Sequence, residues 1–409
     1  MKTKRISIRI LIGVLFFLLL CVGGYLLYLE VTYYRIDDEV SLKTQNNRHT
    51  DQLQAGQSYT LTTYNIGFGA YEPTYSFFMD TGKMKDGDKT RGKYSRAYSR
   101  ERELANTKGS IRTLMNLDCD FYFVQEADVK ATRSYEVNQV QMLQNSLKDY
   151  GSIYTSAFHS AYLFYPLTEP HGKTESGLVT FSRYPVTKNI RYQFPVTKNP
   201  IVKFTDLDRC FTASYLKVDT KRDLVLVNLH MSAYDKGGVI RQKQLKRLNE
   251  FLKSEAEEGN YVIAGGDFNH DIAGSKDLYE SGQEIPEWIY QLSDSDLAEG
   301  YSFVIPENLG EVASCRGADI PYQKNVTYTA VVDGFLVSDN VKGHQHCNQY
   351  RIRLLGPPAG EIDFLFTALG TRTLLHCKIP SDHAWKRVTA GYFISFDILI
   401  LQFHLFQSL

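Results

Sequence analysis

V-I-A-G-G-D-F-N, residues 262–269, runs from three apolar residues through two glycines to Asp267 and Asn269. A short apolar run bounded by turn residues reads as a buried strand. A core strand has no packing reason to finish on charge, so its polar end is expected at a rim where polarity is used. Four other runs share the pattern: L-T-T-Y-N-I closing on Asn65, F-Y-F-V-Q-E on Glu126, L-V-L-V-N-L-H on His230, and A-V-V-D-G-F-L-V around Asp333. One such end would say little. Five argue for a single site on the edge of a sheet-rich fold.

Read as an extended strand end, Asp267 and Asn269 sit two apart and point to the same side. Gly265 and Gly266 before them serve either a functional loop or an Asx-turn, in which Asp and Asn bond local backbone. Glu126 directly follows F-Y-F-V, where a surface carboxylate or helix cap is out of place. A lone histidine is more often structural, so His230 rests on its N-L-H context. His159, His171 and His270 lie near apolar or turn segments and receive no catalytic role.

In order and residue type, G-G-D-F-N at 265–269, Q-E at 125–126, N-L-H at 228–230 and V-D-G-F at 332–335 resemble the endonuclease/exonuclease/phosphatase superfamily. That group includes deoxyribonucleases, apurinic-site endonucleases, neutral sphingomyelinases and inositol-polyphosphate 5-phosphatases. The resemblance spans about residues 58 to 340, and the chain looks like a membrane-anchored, bacterial-type member with an atypical C-terminus. It implies that Asp267 orients or deprotonates the attacking water, that Asn269 donates to a phosphate oxygen, and that Asp333 orients a terminal histidine. Phosphodiester hydrolysis needs a divalent ion, a base for water and donors to developing charge. A hard ion such as Mg²⁺ or Mn²⁺ takes oxygen ligands and keeps several waters. Glu126 is therefore the expected metal ligand, with Asn65 beside it through its carboxamide oxygen. His230 can donate to a non-bridging oxygen or to the leaving group.

Bulk properties narrow the substrate only weakly. Lysine plus arginine equals aspartate plus glutamate at 46 each, so the chain lacks the general positive field of a protein living on bulk nucleic acid. Its 28 tyrosines and 23 phenylalanines suit packed sheets. Six scattered cysteines show neither a C-x-x-C pair nor metal-ligand spacing, so no disulfide framework is expected.

Lys2, Lys4, Arg5 and Arg9 precede an uncharged stretch from Ile10 to Leu29. At 1.5 Å per residue such a helix spans ~30 Å, the hydrocarbon thickness of a bilayer. A cleaved signal peptide has a shorter apolar region and a small-x-small site. Here Val22-Gly23-Gly24 is a poor version and the apolar run continues past it, while Leu20 before Cys21 does not suit lipoprotein processing. The reading is an uncleaved anchor. The basic flank places residues 1–9 in the cytoplasm and the remainder from residue 30 outside the cell membrane.

Residues 30–57 are polar with little periodicity and read as a stalk. Residues 83–112 hold ten Lys/Arg against four Asp/Glu, first as a Gly- and Ser-containing loop and then as a helix from about Glu101 to Leu117. Most of these charges read as solvated, with one or two free to face substrate. Arg241–Lys253 carries Leu245, Leu248, Phe251 and Leu252 at helical spacing with a basic outer face, as for a helix outside a sheet. Strands alternating with external helices over residues 58–340 imply an α/β four-layer sandwich of two mixed β-sheets, preceded by one transmembrane helix.

After Asn340 the texture changes. Gly343–Arg353 reads as neither strand nor helix, and a Ser381-Asp382-His383 occurs late in the 341–409 tail. Either that triplet is the family's terminal signature after an insertion, or the reading frame has moved. Back-translating Gly343–Tyr350 and advancing one base forces seven positions to Thr/Ile, Asn/Ser, Thr/Ile, Ala/Val, Thr/Ile, Asn/Ser and Thr/Ile, a strand-like alternation. Continuing, Leu354–Gly360 permits Tyr-Ser-Asp-His-Gln-Pro-Val. The frameshift near Lys342 is the favoured reading, with Asp382 and His383 coincidental. The last core strand and the Asp-His pair would then be missing from this polypeptide.

The sequence therefore points to a metal-dependent phosphoesterase anchored at the membrane and facing outward. Its substrate would be a lipid, nucleic acid or small phosphoester, and no obligate protein partner is inferred. A cell-surface nuclease and a catalytically dead surface binding protein are the alternatives.

Overall fold

The strands ending at His230 and Asp267 lie side by side and parallel, with His230 directly opposite Asp267. The next strand is antiparallel and sets Asp333 opposite Asp267 on its other edge. These three, Asp223–His230, Tyr261–Asp267 and Asp333–Ser338, form the centre of a seven-stranded mixed sheet. Val40–Ser41, Val186–Gln193 and Cys210–Lys217 extend it on one side and Tyr301–Phe303 on the other. In the second sheet, Ser58–Asn65 and Phe121–Asp128 run parallel, with Asn65 paired to Gln125. Gly172–Ser182 and Gly151–Leu163 follow beyond Phe121–Asp128. The computed structural model describes residues 2–366 except 198, 200, 201, 206, 234–237, 307, 347, 348 and 355–362.

The two sheets share one core, in which Phe123 and Phe335 bring their rings to 6.1 Å across the interface. Both glycines before Asp267 are required by this packing. A Cβ on Gly265 would lie 2.2 Å from the Phe335 ring, and one on Gly266, at φ +142, would lie 2.0 Å from the Leu229 carbonyl. Beneath the rim a buried polar staple joins the sheets. Gln125 Nε2 donates to Asn228 Oδ1 at 2.8 Å, and Asn228 Nδ2 donates to the Val179 carbonyl at 3.1 Å. Satisfied buried polar pairs of this kind fix one relative placement of two apolar faces.

Helices cover the outside. Arg100–Leu117 starts where Ser99 Oγ accepts from the Arg102 amide, close to the start read from sequence. Val239–Glu257 buries Leu248, Phe251 and Leu252 as the spacing implies, and also Arg241, Gln244 and Glu255. Glu255 accepts from the Tyr215 hydroxyl at 2.5 Å, so this buried carboxylate has a donor. The four-layer architecture expected from the sequence is present.

Two segments depart from expectation. The stretch read as a stalk lies along the domain. Ile36 donates its amide to Asp208, Val40–Ser41 pairs with Val186–Gln193, and Leu53 is fully buried beside Val218. Its few apolar residues, widely spaced, each find a separate docking point, which periodicity does not reveal. Gly343–Arg353, read as neither strand nor helix, belongs to strands Val341–His346 and Gln349–Leu354. Tyr350, Ile352 and Leu354 alternate with Arg351 and Arg353, and that short period of two suffices for a strand. Gln349–Leu354 and Asp363–Phe366 both pair with Ser58–Asn65, so that strand's outer edge is not left open. Ser381-Asp382-His383 lies outside the described residues.

The basic loop is used structurally. Lys83 pairs with Glu284 at 2.6 Å, Arg96 donates to the Pro170 carbonyl, and Arg102 pairs with Glu72. These three cations are committed to protein partners.

Candidate active site

Asn65, Glu126, His230, Asp267 and Asn269 meet at one end of the sandwich. Asn65 is the joint: its Nδ2 donates to Glu126 Oε1 at 3.1 Å on the neighbouring strand and to Asp267 Oδ2 at 2.8 Å on the facing sheet. Its Oδ1 accepts from the Gly67 amide at 2.9 Å. Asn65 thus presents nitrogen to the carboxylates, whereas the sequence reading had its oxygen beside Glu126 as a ligand. The Gly67 N–H fixes that orientation, because turning the amide would set two donors against each other.

Glu126 reaches the rim through a break in its strand. Pairing with Gly172–Ser182 slips between Val124 and Ala127, and Glu126 itself has φ +52. A bulge re-aims a side chain that regular alternation would direct elsewhere. The side chain keeps about a quarter of its surface, 25%, open to solvent, with Oε2 3.9 Å from the Arg133 guanidinium. Arg133 is buried and held by Asp128 through two contacts of 2.9 and 3.1 Å. Nothing in its T-R-S context marks Arg133 from sequence.

Asp267 Oδ1 accepts from the Asn269 amide at 2.8 Å, so the Asx-turn does form, while Oδ2 serves Asn65 and lies 3.4 Å from His230 Nε2. Both readings of this residue therefore hold at once, one per oxygen. The strand stops at Asp267 and Asn269 adopts φ +49, so the same-side argument for an extended pair does not apply. The left-handed residue turns its Nδ2 to the Met231 carbonyl at 2.9 Å, which leaves its second N–H for another acceptor.

Electrostatics follow from burial. Desolvation, reinforced by the nearby Glu126 charge, pushes Asp267 up to about 6 against the pull of Asn65. Asp333 rises well above the usual carboxylate range through burial and its cross-strand neighbour Asp267. Burial, then Arg209 and Arg133, drives His230 well below its ordinary value, so it stands neutral beside Asp267. Asp333 Oδ1 is buried with no hydrogen-bond partner among the described residues. His171 packs against Phe78 with Nδ1 near the Ser95 carbonyl, and His159 stacks on Tyr34.

Among the described residues no cluster of three or more His, Cys, Asp or Glu side chains forms a metal cage. The donor chemistry at Glu126 nevertheless fits a hydrated hard cation, which needs only one or two carboxylates. Glu126 keeps a quarter of its side chain open at the rim, and the raised proton affinity of Asp267 and Asp333 beside it favours positive charge there.

The Endonuclease/Exonuclease/phosphatase family model matches residues 62–292. A search of curated proteins finds no match. Similar solved structures include truncated TDP2 of Caenorhabditis elegans, at 12% identity over 73% of this chain and 97% of that one, TM-score 0.41. An endonuclease/exonuclease/phosphatase from Beutenbergia cavernae is 12% identical over 73% and 72%, TM-score 0.44. ANGEL2, a 2′,3′-cyclic phosphatase, is 12% identical over 79% and 91%, TM-score 0.45.

Proposed function

Because the chain belongs to the endonuclease/exonuclease/phosphatase family, we propose that it hydrolyses a phosphodiester with a divalent cation, Mg²⁺ or Mn²⁺, held at Glu126. The carrying observation is Asn65 Nδ2, which bridges Glu126 and Asp267 across the two sheets. That bridge sets a solvent-facing carboxylate beside a buried one of raised proton affinity. Asp267 takes the proton of the attacking water. Neutral His230 and the free N–H of Asn269 donate to phosphate oxygens as charge develops. When bound, the cation neutralises the phosphate. Asn65 orients both carboxylates and is a positioning residue.

Asp267 must be ionised to accept a proton, so kcat/KM is expected to fall tenfold per pH unit below about 6. A flat profile from pH 7 to pH 4 would remove Asp267 from the base role. A panel of lipid, nucleotide and small phosphodiesters assayed with Mg²⁺ tests the class. Hydrolysis of none would leave the binding-protein alternative, which the unpartnered Asp333 oxygen favours. Degradation of DNA, falling steeply with salt, would make it a nuclease.

Ile8–Thr32 is a helix of 25 residues, mean hydropathy 2.8, long and apolar enough to cross a membrane. We read it as an uncleaved anchor with Lys2–Arg9 inside, so the domain faces outward. Protease added to intact cells is expected to degrade the domain; full protection before lysis would reverse the orientation.

A further inference from the structure

We propose that Phe164–Leu167 is a second membrane contact, which enters the lipid headgroup region beside the N-terminal helix and holds the rim of Glu126 against the lipid surface. The inference rests on the anchor proposed above and makes the substrate a phosphodiester borne by membrane lipid.

Three observations carry it. Phe164, Tyr165 and Leu167 stand out from the strand end as exposed large apolar residues, Leu167 at 85%. Contiguous exposed apolar surface on a folded domain marks a place of interaction. This surface is fastened to the apolar helix. The Tyr25 hydroxyl donates to the Tyr162 carbonyl at 3.0 Å, and the Tyr162 amide donates to the Tyr28 hydroxyl at 3.1 Å. Tyr25 and Phe164 meet edge to face at 5.2 Å. The domain also encloses the helix end, for Leu29 is buried while Leu26 and Leu27 are exposed.

Depth follows from helix geometry. If Leu29 marks the outer end of the span, Tyr25 lies four residues, or ~6 Å, within it. Phe164, touching Tyr25, shares that depth, which is where interfacial aromatic residues settle, about 5–10 Å into the headgroup boundary. Arg91 donates to the Tyr165 hydroxyl at 3.1 Å, putting a guanidinium at the tip where lipid phosphates lie. A soluble partner protein would have to share this surface with the bilayer, since the helix occupies its flank.

The same end of the sheet carries the chemistry. Leu163 pairs with Gly172, and the Lys173 amide donates to Thr132 Oγ1 at 3.1 Å. The next residue, Arg133, lies 3.9 Å from Glu126 Oε2. Loop and carboxylate therefore leave the fold at the same end of the sheet.

Tryptophan placed at two exposed positions tests this in the full-length chain, reconstituted in phosphatidylcholine vesicles brominated on the acyl chains. Met115 is the control, half exposed near the end of Arg100–Leu117, the helix that leads back to the opposite end of the Glu126 strand. The chain's own Trp288 and Trp385 contribute equally to both variants. Added emission in Leu167→Trp is expected to be quenched at least about twofold more than in Met115→Trp, as for an interfacial side chain. Equal quenching at both positions, in protein that sediments with the vesicles, would overturn the contact and leave the anchor standing. Loss of sedimentation would overturn both. Quenching needs no turnover, so absence of phosphoesterase activity would not bear on it.

Discussion

Glu126→Gln is expected to lower phosphoesterase turnover roughly 10²–10³-fold, the ~3–4 kcal/mol carried by a carboxylate that holds a charge-neutralising ion. The substitution leaves the frame alone. A glutamine oxygen can still accept from Asn65 Nδ2, and the open position of Glu126 on its bulge means that no packing is lost. Thermal stability should therefore stay within ~0.5 kcal/mol of the parent, as for surface changes away from special features. An amide is a much poorer ligand for a hard dication than a carboxylate, so activity should be recovered in part by raising Mg²⁺ or Mn²⁺ and should vanish in EDTA in parent and variant alike. The residual activity carries a second signature. Glu126 helps to raise Asp267, so removing its charge should move the acid limb of the pH profile below about 6. Unchanged turnover, or full activity in EDTA, would falsify the metal role.

The strand ends were legible because a polar residue closing an apolar run conflicts with burial, and the conflict resolves only at a rim. That reasoning located Asn65, Glu126, His230 and Asp267 together. It could not give orientations. Asn65 turns its nitrogen inward because the Gly67 amide claims its oxygen, and Gly67 carries no mark in the sequence. The two-residue alternation rule failed at Asn269 because it holds only for extended backbone, and the chain turns left-handed there. Arg133 and the Gln125–Asn228 staple depend on contacts between distant segments, so no local pattern announces them. The strap over residues 33–57 escaped for the same reason, while the strand at 349–354 escaped because five alternating residues were outweighed by the polar run before them.

Re-reading the chain one base forward from about codon 342 is expected to raise phosphoesterase activity by roughly 10²–10⁴-fold, the usual contribution of a positioned general acid–base group. The grounds are now partly structural. Asp333 sits opposite Asp267 at the rim, buried, with Oδ1 lacking any partner among the described residues. An unsatisfied buried acceptor costs about 1–3 kcal/mol, so a donor brought to Asp333 Oδ1 would be favoured there. A histidine N–H is the donor that the family resemblance implies, and the shifted frame permits Ser-Asp-His-Gln-Pro where this chain has Leu355–Ala359. A shifted frame would also imply a lost core strand. Paired strands at 341–346 and 349–354 remove that part, since the edge of Ser58–Asn65 is occupied in the present frame. What remains is Asp333 itself, a buried carboxyl set opposite Asp267 at the rim. In the corrected chain, Asp333→Asn should then cost activity through the histidine's tautomer, whereas in the present chain the same change should leave turnover unaltered. The insertion alternative makes the opposite demand, that Asp382 and His383 act in the chain as it stands. Strong activity in the uncorrected protein that disappears with His383→Ala would sink the frameshift, and so would coding DNA whose shifted frame lacks the Ser-Asp-His signature.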